Sequence, residues 1–96
     1  MMQYRELGNT GLLVSEIGMG CEGFSEDECR NTRRLFDAAE ELGINYFDLY
    51  SPDPNLRLHL GKALAGRRDQ FIIQAHLCSV WKDGQYKRTR KLEEVQ

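Results

Sequence analysis

Long apolar runs are missing from this 96-residue chain, and no uninterrupted stretch approaches the roughly 20 residues of a membrane-crossing helix. The opening residues, MMQYRELGNTG, contain no apolar core of the kind a secretory signal carries, so a reducing cytoplasm is the expected compartment. Proline is scarce, at two residues, and no segment is of low complexity, which argues against a disordered chain. The cysteines Cys21, Cys29 and Cys78 are few and widely spaced. None forms a C-x-x-C pair, so no metal ligands are assigned and no complete cluster site is expected within these residues. A Gly-x-Gly-x-x-Gly run, the phosphate-binding fingerprint of Rossmann folds, is also missing. Nor is there an excess of one charge: the net charge is −2, which gives no ground for expecting a nucleic-acid partner.

What is present is an ordinary globular composition, 41% apolar and 29% charged, with nine glycines. The charge is uneven. Residues 1–50 hold four basic against ten acidic side chains, and residues 51–96 hold nine against five. Lys82, Lys87, Arg88, Arg90 and Lys91 make up much of the basic excess, as either a solvated loop or an anion-binding edge.

Residues 3–7 alternate polar and apolar, a Gly8-Asn9-Thr10-Gly11 cluster follows, and residues 12–15 resume extended character. This pattern predicts a β-hairpin. Residues 17–20 read as a compact strand of small and apolar residues. Ser25 and Glu28 form a capping box for a helix that runs to about Leu42. Its inner stripe is Cys29, Thr32, Phe36, Ala39 and Leu42, and Gly43 closes it. Residues 44–48 predict a second strand. Asp53 and Pro54 start another helix, which buries Leu56, Leu60 and Leu64 and stops at Gly66. Residues 71–75 predict a third strand covered on both faces. Residues 79–88 read as a polar loop, and residues 89–96 as the beginning of a third helix.

Strands that alternate with helices imply right-handed β-α-β units and a parallel sheet. Three parallel strands alone leave two open edges, so the pattern fits the first part of a larger α/β protein, with self-association expected of the isolated chain.

Three blocks carry a likeness to a known family. The first is Tyr4-Arg5-x-Leu7-Gly8-x-Thr10-Gly11-Leu12-x-Val14-Ser15-x-Ile17-Gly18-x-Gly20. The second is Gly43-Ile44-Asn45-Tyr46-Phe47-Asp48, and the third is Leu60-Gly61-Lys62-Ala63-Leu64-x-Gly66-Arg67-Arg68-Asp69. Together, in this order, they resemble the opening of the aldo/keto reductases. The resemblance implies a (β/α)₈ TIM barrel, of which this chain is a truncated N-terminal part. Residues 1–16 would be the hairpin that closes the barrel bottom, and residues 17–96 the first βα units. A whole barrel takes about 250 residues. The resemblance also implies an oxidoreductase that reduces a small-molecule carbonyl with NADPH. Residues 47–54, 74–78 and 81–90 look more specifically like aldo/keto reductase-like oxidoreductases with a C-terminal [4Fe–4S] ferredoxin-type domain. The cluster cysteines of such a domain would lie downstream of residue 96, and the partner the resemblance implies is a small-molecule carbonyl substrate or a redox partner.

Carried over residue by residue, the family's catalytic Asp is Asp48. Asp53 stands where its Tyr is expected, and Tyr50 is the tyrosine nearby. His76 replaces the Lys that ends the third strand. Imidazole changes charge near neutrality, so it could serve there as cation or acid. The candidate catalytic residues are therefore Asp48, His76 and Tyr50, and the candidate cofactor-binding residues are Gly20, Cys21 and Asp48.

Each also has a plain reading. Asp48 could accept hydrogen bonds from a neighbouring turn, His76 could be a satisfied core histidine, and Tyr50 could simply pack. Cys21 and Glu22 follow the first barrel strand, where the family touches cofactor, yet ordinary loop filling would also place them there. Trp81 and Tyr86 are either an aromatic lid or loop packing, and His59 is expected on the surface. Loss of the Tyr and Lys favours a competing reading, a non-catalytic nucleotide-binding or structural protein on the same scaffold. A small stand-alone oligomerisation unit is the third possibility.

Overall fold

The computed structural model describes residues 1–21 and 29–95, with only the backbone of Cys29, Arg30 and Val95. The capping box at Ser25 and Glu28, like Glu22, lies outside the described residues. In chain order the elements are β1 (Tyr4–Glu6), β2 (Leu13–Ser15), β3 (Met19–Gly20), α1 (Cys29–Glu41), β4 (Tyr46–Leu49) and α2 (Pro54–Ala63). After a 3₁₀ turn at Arg68–Gln70 come β5 (Ile72–Ala75), β6 (Ser79–Lys82), β7 (Gln85–Arg88) and α3 (Leu92–Val95).

The expected hairpin is β1 against β2, antiparallel with Arg5 opposite Val14. The central sheet is parallel in the order β3-β4-β5. Met19 pairs with Phe47, and Phe47 with Ile73. Strand β3 is shorter than expected. Ile17 is exposed and Gly18 lies outside the ladder, because the Ser15 hydroxyl donates to the Ile17 carbonyl (2.7 Å) and bends the chain there.

The core lies between the sheet and helices α1 and α2. Phe36 stacks on Phe47 with ring centroids 4.4 Å apart, and Phe71 meets both edge-on at 5.6 and 5.3 Å. Thr32, Phe36 and Ala39 are buried as the helical stripe requires, and Leu56, Leu60 and Leu64 form the expected buried row. Leu42 departs from the stripe and is 65% exposed. It falls after the end of α1, where Gly43 turns left-handed at φ +83°. There the Gly43 amide donates to Glu40 O (3.0 Å) and the Ile44 amide to Ala39 O (2.9 Å), a Schellman closure. At the start of α2, Asp53 Oδ1 accepts the Asn55 amide at 2.9 Å, so Asp53 is the N-cap. Arg67 ties the two helices together: it donates to Ala63 O at 3.1 and 3.0 Å and pairs with Asp37 and Glu40 at 2.7 and 2.8 Å.

Asn45 locks the hairpin beneath the sheet. Its Oδ1 accepts the Ser15 amide (2.7 Å), and its Nδ2 donates to Leu13 O (2.8 Å). The Tyr4 hydroxyl reaches Gly43 O at 2.5 Å. A Cβ on Gly43 would stand 2.8 Å from that hydroxyl oxygen, so the tyrosine tip would have to shift, and the left-handed backbone favours glycine there.

Residues 79–88 are a second antiparallel hairpin rather than the expected polar loop, with Trp81 opposite Tyr86. The cause is Asp83-Gly84, both left-handed at φ 54° and 73°, which makes the tight turn that matches strand twist. His59, expected on the surface, is half-buried, and its Nδ1 has no hydrogen-bond partner.

Candidate active site

Parallel pairing brings the C-terminal ends of β3, β4 and β5 to one rim. Gly20 is opposite Asp48, and Asp48 opposite Gln74. Strand alternation sends Phe47 into the core and turns Asp48 to the opposite face. His76 follows β5 by one residue, and its Nε2 lies 2.6 Å from Asp48 Oδ1. An ionised carboxylate only accepts, so Nε2 carries the hydrogen. The pair is partly open, with the His76 and Asp48 side chains 33% and 42% exposed. Such a site can exchange protons with solvent or with a ligand.

Tyr50 stands edge-on to the His76 ring, centroids 5.2 Å apart. Its hydroxyl oxygen is 2.6 Å from that of Tyr86, on β7. The three candidate catalytic residues thus converge, and Tyr86 joins them through the hairpin. That tyrosine was legible in the sequence only as lid or packing. The missed signal was Asp83-Gly84, which makes the hairpin that delivers it. Farther down the same face, the Tyr46 hydroxyl bonds to Gln74 Oε1.

The Tyr50–Tyr86 contact shifts both phenols. Tyr86 is lowered to about 8, first by the hydrogen bond from Tyr50, then by Arg88 and the Ser79 hydroxyl. Tyr50 is raised, chiefly by the same contact with Tyr86. Two touching phenols lose their protons one at a time.

The candidate cofactor residues divide. Gly20 is exposed at the rim, with open space where a Cβ would stand. Cys21 is 1% exposed and its side chain belongs to the core. Its amide donates to Asp48 O at 3.0 Å, so it helps to hold the rim while its thiol faces away from the site. Cys78 is exposed and left-handed at φ 67°. With Arg57, His76 and Trp81 it lines a cleft of about 500 Å³ between the start of α2 and the second hairpin. Among the described residues no group of three or more His, Cys, Asp or Glu side chains is placed to hold a metal ion. No helix of the described residues is long and apolar enough to cross a membrane.

Two solved structures of a protein from Pseudomonas aeruginosa, described as its "putative aldo-keto reductase", superpose on 95% of this chain with a TM-score of 0.81 and 30% sequence identity. The fold matches the N-terminal portion of that protein's barrel. The chain is also 35% identical over 86 residues to the uncharacterized oxidoreductase YqkF of Bacillus subtilis, a match that takes in 86% of the chain. It spans 28% of the length of YqkF and 37% of the Pseudomonas protein. No family model matches the sequence. In an aldo-keto reductase barrel the rim described above is the C-terminal face of the strands, where barrel enzymes place their chemistry.

Proposed function

We propose that the chain contributes one side of the active site of an aldo-keto reductase-type oxidoreductase that reduces a small-molecule carbonyl with a reduced nicotinamide. The observation that carries this reading is the Asp48–His76 pair at 2.6 Å on the rim, with Tyr50 against the imidazole. Asp48 orients His76, whose ring lies beside the place where a carbonyl oxygen would become negative. In support, Gly20 sits beside Asp48 at the strand ends with open space where a Cβ would stand. Gly20 and Asp48 would hold a reduced nicotinamide, which would supply the hydride. NADP is the form we favour, by likeness. On the finer likeness, the electrons would be shared with a [4Fe–4S] domain carried by residues other than these 96.

One observation favours the non-catalytic alternative. Asp53, at the position of the family's tyrosine, is taken up in capping α2. The deciding experiment is NADPH oxidation by the full-length gene product with a panel of aldehydes and ketones. Turnover that falls about 10²–10⁴-fold in Asp48→Asn supports the reductase. Nucleotide binding without turnover supports the alternative.

A further inference from the structure

Building on the reductase reading, we propose that the cleft between the start of α2 and the second hairpin holds the far end of the substrate. It selects carbonyl compounds with a flat body and a carboxylate, and Arg57 is the anchor. The cleft, of about 500 Å³, has the size of a small-ligand site. Pro52 and Pro54 line it from the α2 side and Trp81 from the hairpin, all three of them stiff side chains. Trp81 is 41% exposed, which leaves indole surface for a flat ring. His76 lines the same cleft while its Nε2 bonds to Asp48, so a ligand in the cleft has one end beside that pair.

Two further charges line the cleft, and they differ. Glu94 is engaged, with Lys82 at 3.5 Å from its carboxylate. Arg57 is not. Asp53, one turn before it and its natural i, i+4 partner, spends its carboxylate on the Asn55 amide. Arg67 and Arg68, the next arginines along the chain, donate to Ala63 O and Phe71 O, and Arg67 also pairs with Asp37 and Glu40. Among the described residues no carboxylate lies within ion-pair distance of Arg57, so its guanidinium donors remain for a ligand.

A guanidinium takes a carboxylate in a two-pronged geometry that an ammonium cannot reproduce, which fixes orientation as well as charge. With the carboxylate at Arg57 and the flat body against Trp81, the opposite end of the ligand is left beside His76, where the proposed reaction puts the carbonyl. The carboxylate takes no part in the bond changes. It is held alike before and after them, so the anchor acts on KM rather than kcat.

The first test needs no turnover. In calorimetry with the full-length gene product, benzoate should bind and benzamide, its uncharged counterpart, should bind far more weakly. Arg57→Ala should lower benzoate affinity about 10–100-fold, the ordinary loss of a charge-assisted hydrogen-bonded pair. Arg57→Lys should fall between the two, and Trp81→Leu should weaken benzoate as well. Circular dichroism checks that each variant is folded. Benzoate that does not bind, or that binds Arg57→Ala as it binds wild type, would overturn the proposal. The second test compares para-formylbenzoate with benzaldehyde as substrates of the full-length gene product with NADPH. Wild type should favour the carboxylate in kcat/KM, and Arg57→Ala should lower that preference about 10–100-fold, chiefly through KM. Equal handling of the two aldehydes by wild type refutes the carboxylate anchor and leaves the reductase reading intact. Arg57-dependent benzoate binding by a protein that reduces no carbonyl refutes the reductase reading, and the substrate class with it.

Discussion

The two ends of β4 do different work with similar side chains. At the lower end, Asn45 spends its amide on the backbone of β2 and holds the first hairpin beneath the sheet. Three residues on, Asp48 bonds to another ionisable side chain, His76, at a half-exposed rim. Below, polar atoms satisfy backbone groups, the cheapest way to close a fold. Above, polar atoms face one another and keep capacity for protons. The difference separates a contact made for stability from one suited to chemistry, on a strand of four residues and its immediate flank.

Substitutions at the two ends should therefore fail differently. The largest expected effect is at the rim. In the full-length gene product, His76→Ala should lower kcat about 10²–10⁴-fold and leave thermal unfolding almost in place. Equal losses of activity and stability would erase the distinction. At the lower end, Gly43→Ala should cost about 1–3 kcal/mol in denaturant unfolding, from left-handed strain, with the Tyr4 hydroxyl crowding the new methyl group. Asn45→Ala should also cost about 1–3 kcal/mol, by stranding the Ser15 amide and the Leu13 carbonyl, with kcat unchanged. Asp53→Ala should cost about 1 kcal/mol, the ordinary loss of an N-cap, if the residue is structural as its bond to Asn55 indicates. The smallest effect concerns pH. Tyr86 is held near 8 in the folded chain against 10.0 for the free phenol, so between those values the unfolded state binds more protons. Stability from this group rises with pH across that window and is lost as pH falls through about 8. Urea midpoints should climb more steeply over the window in wild type than in Tyr86→Phe.

Much of this was legible from residues alone. The period-3.6 stripe of α1, the leucine row of α2 and the turn glycines place the helices, and the apolar runs locate β4 and β5. The meeting of Asp48, His76 and Tyr50 could be anticipated only through the family likeness, because their proximity is produced by parallel register between strands distant in sequence. Two local features were misjudged. The basic residues of 79–88 masked a strand alternation, and Asp83-Gly84 outweighed their polarity by supplying the turn. Leu42 obeyed helical spacing but fell one residue past the helix, where the closing turn swings its side chain outward. The role of Asn45 has no periodic signal at all: a half-buried amide that serves a hairpin thirty residues away in sequence is visible only in three dimensions.

The Asp83-Gly84 turn has a consequence for how such a site can change over generations. Strands β6 and β7 pair with each other and not with the parallel sheet. Replacing Tyr86 or Arg88 leaves the ladder of β3, β4 and β5 untouched. The hairpin can therefore vary its exposed faces while β4 and β5 keep Asp48 and His76 together. Changes on the hairpin and changes in the parallel sheet are thus separable.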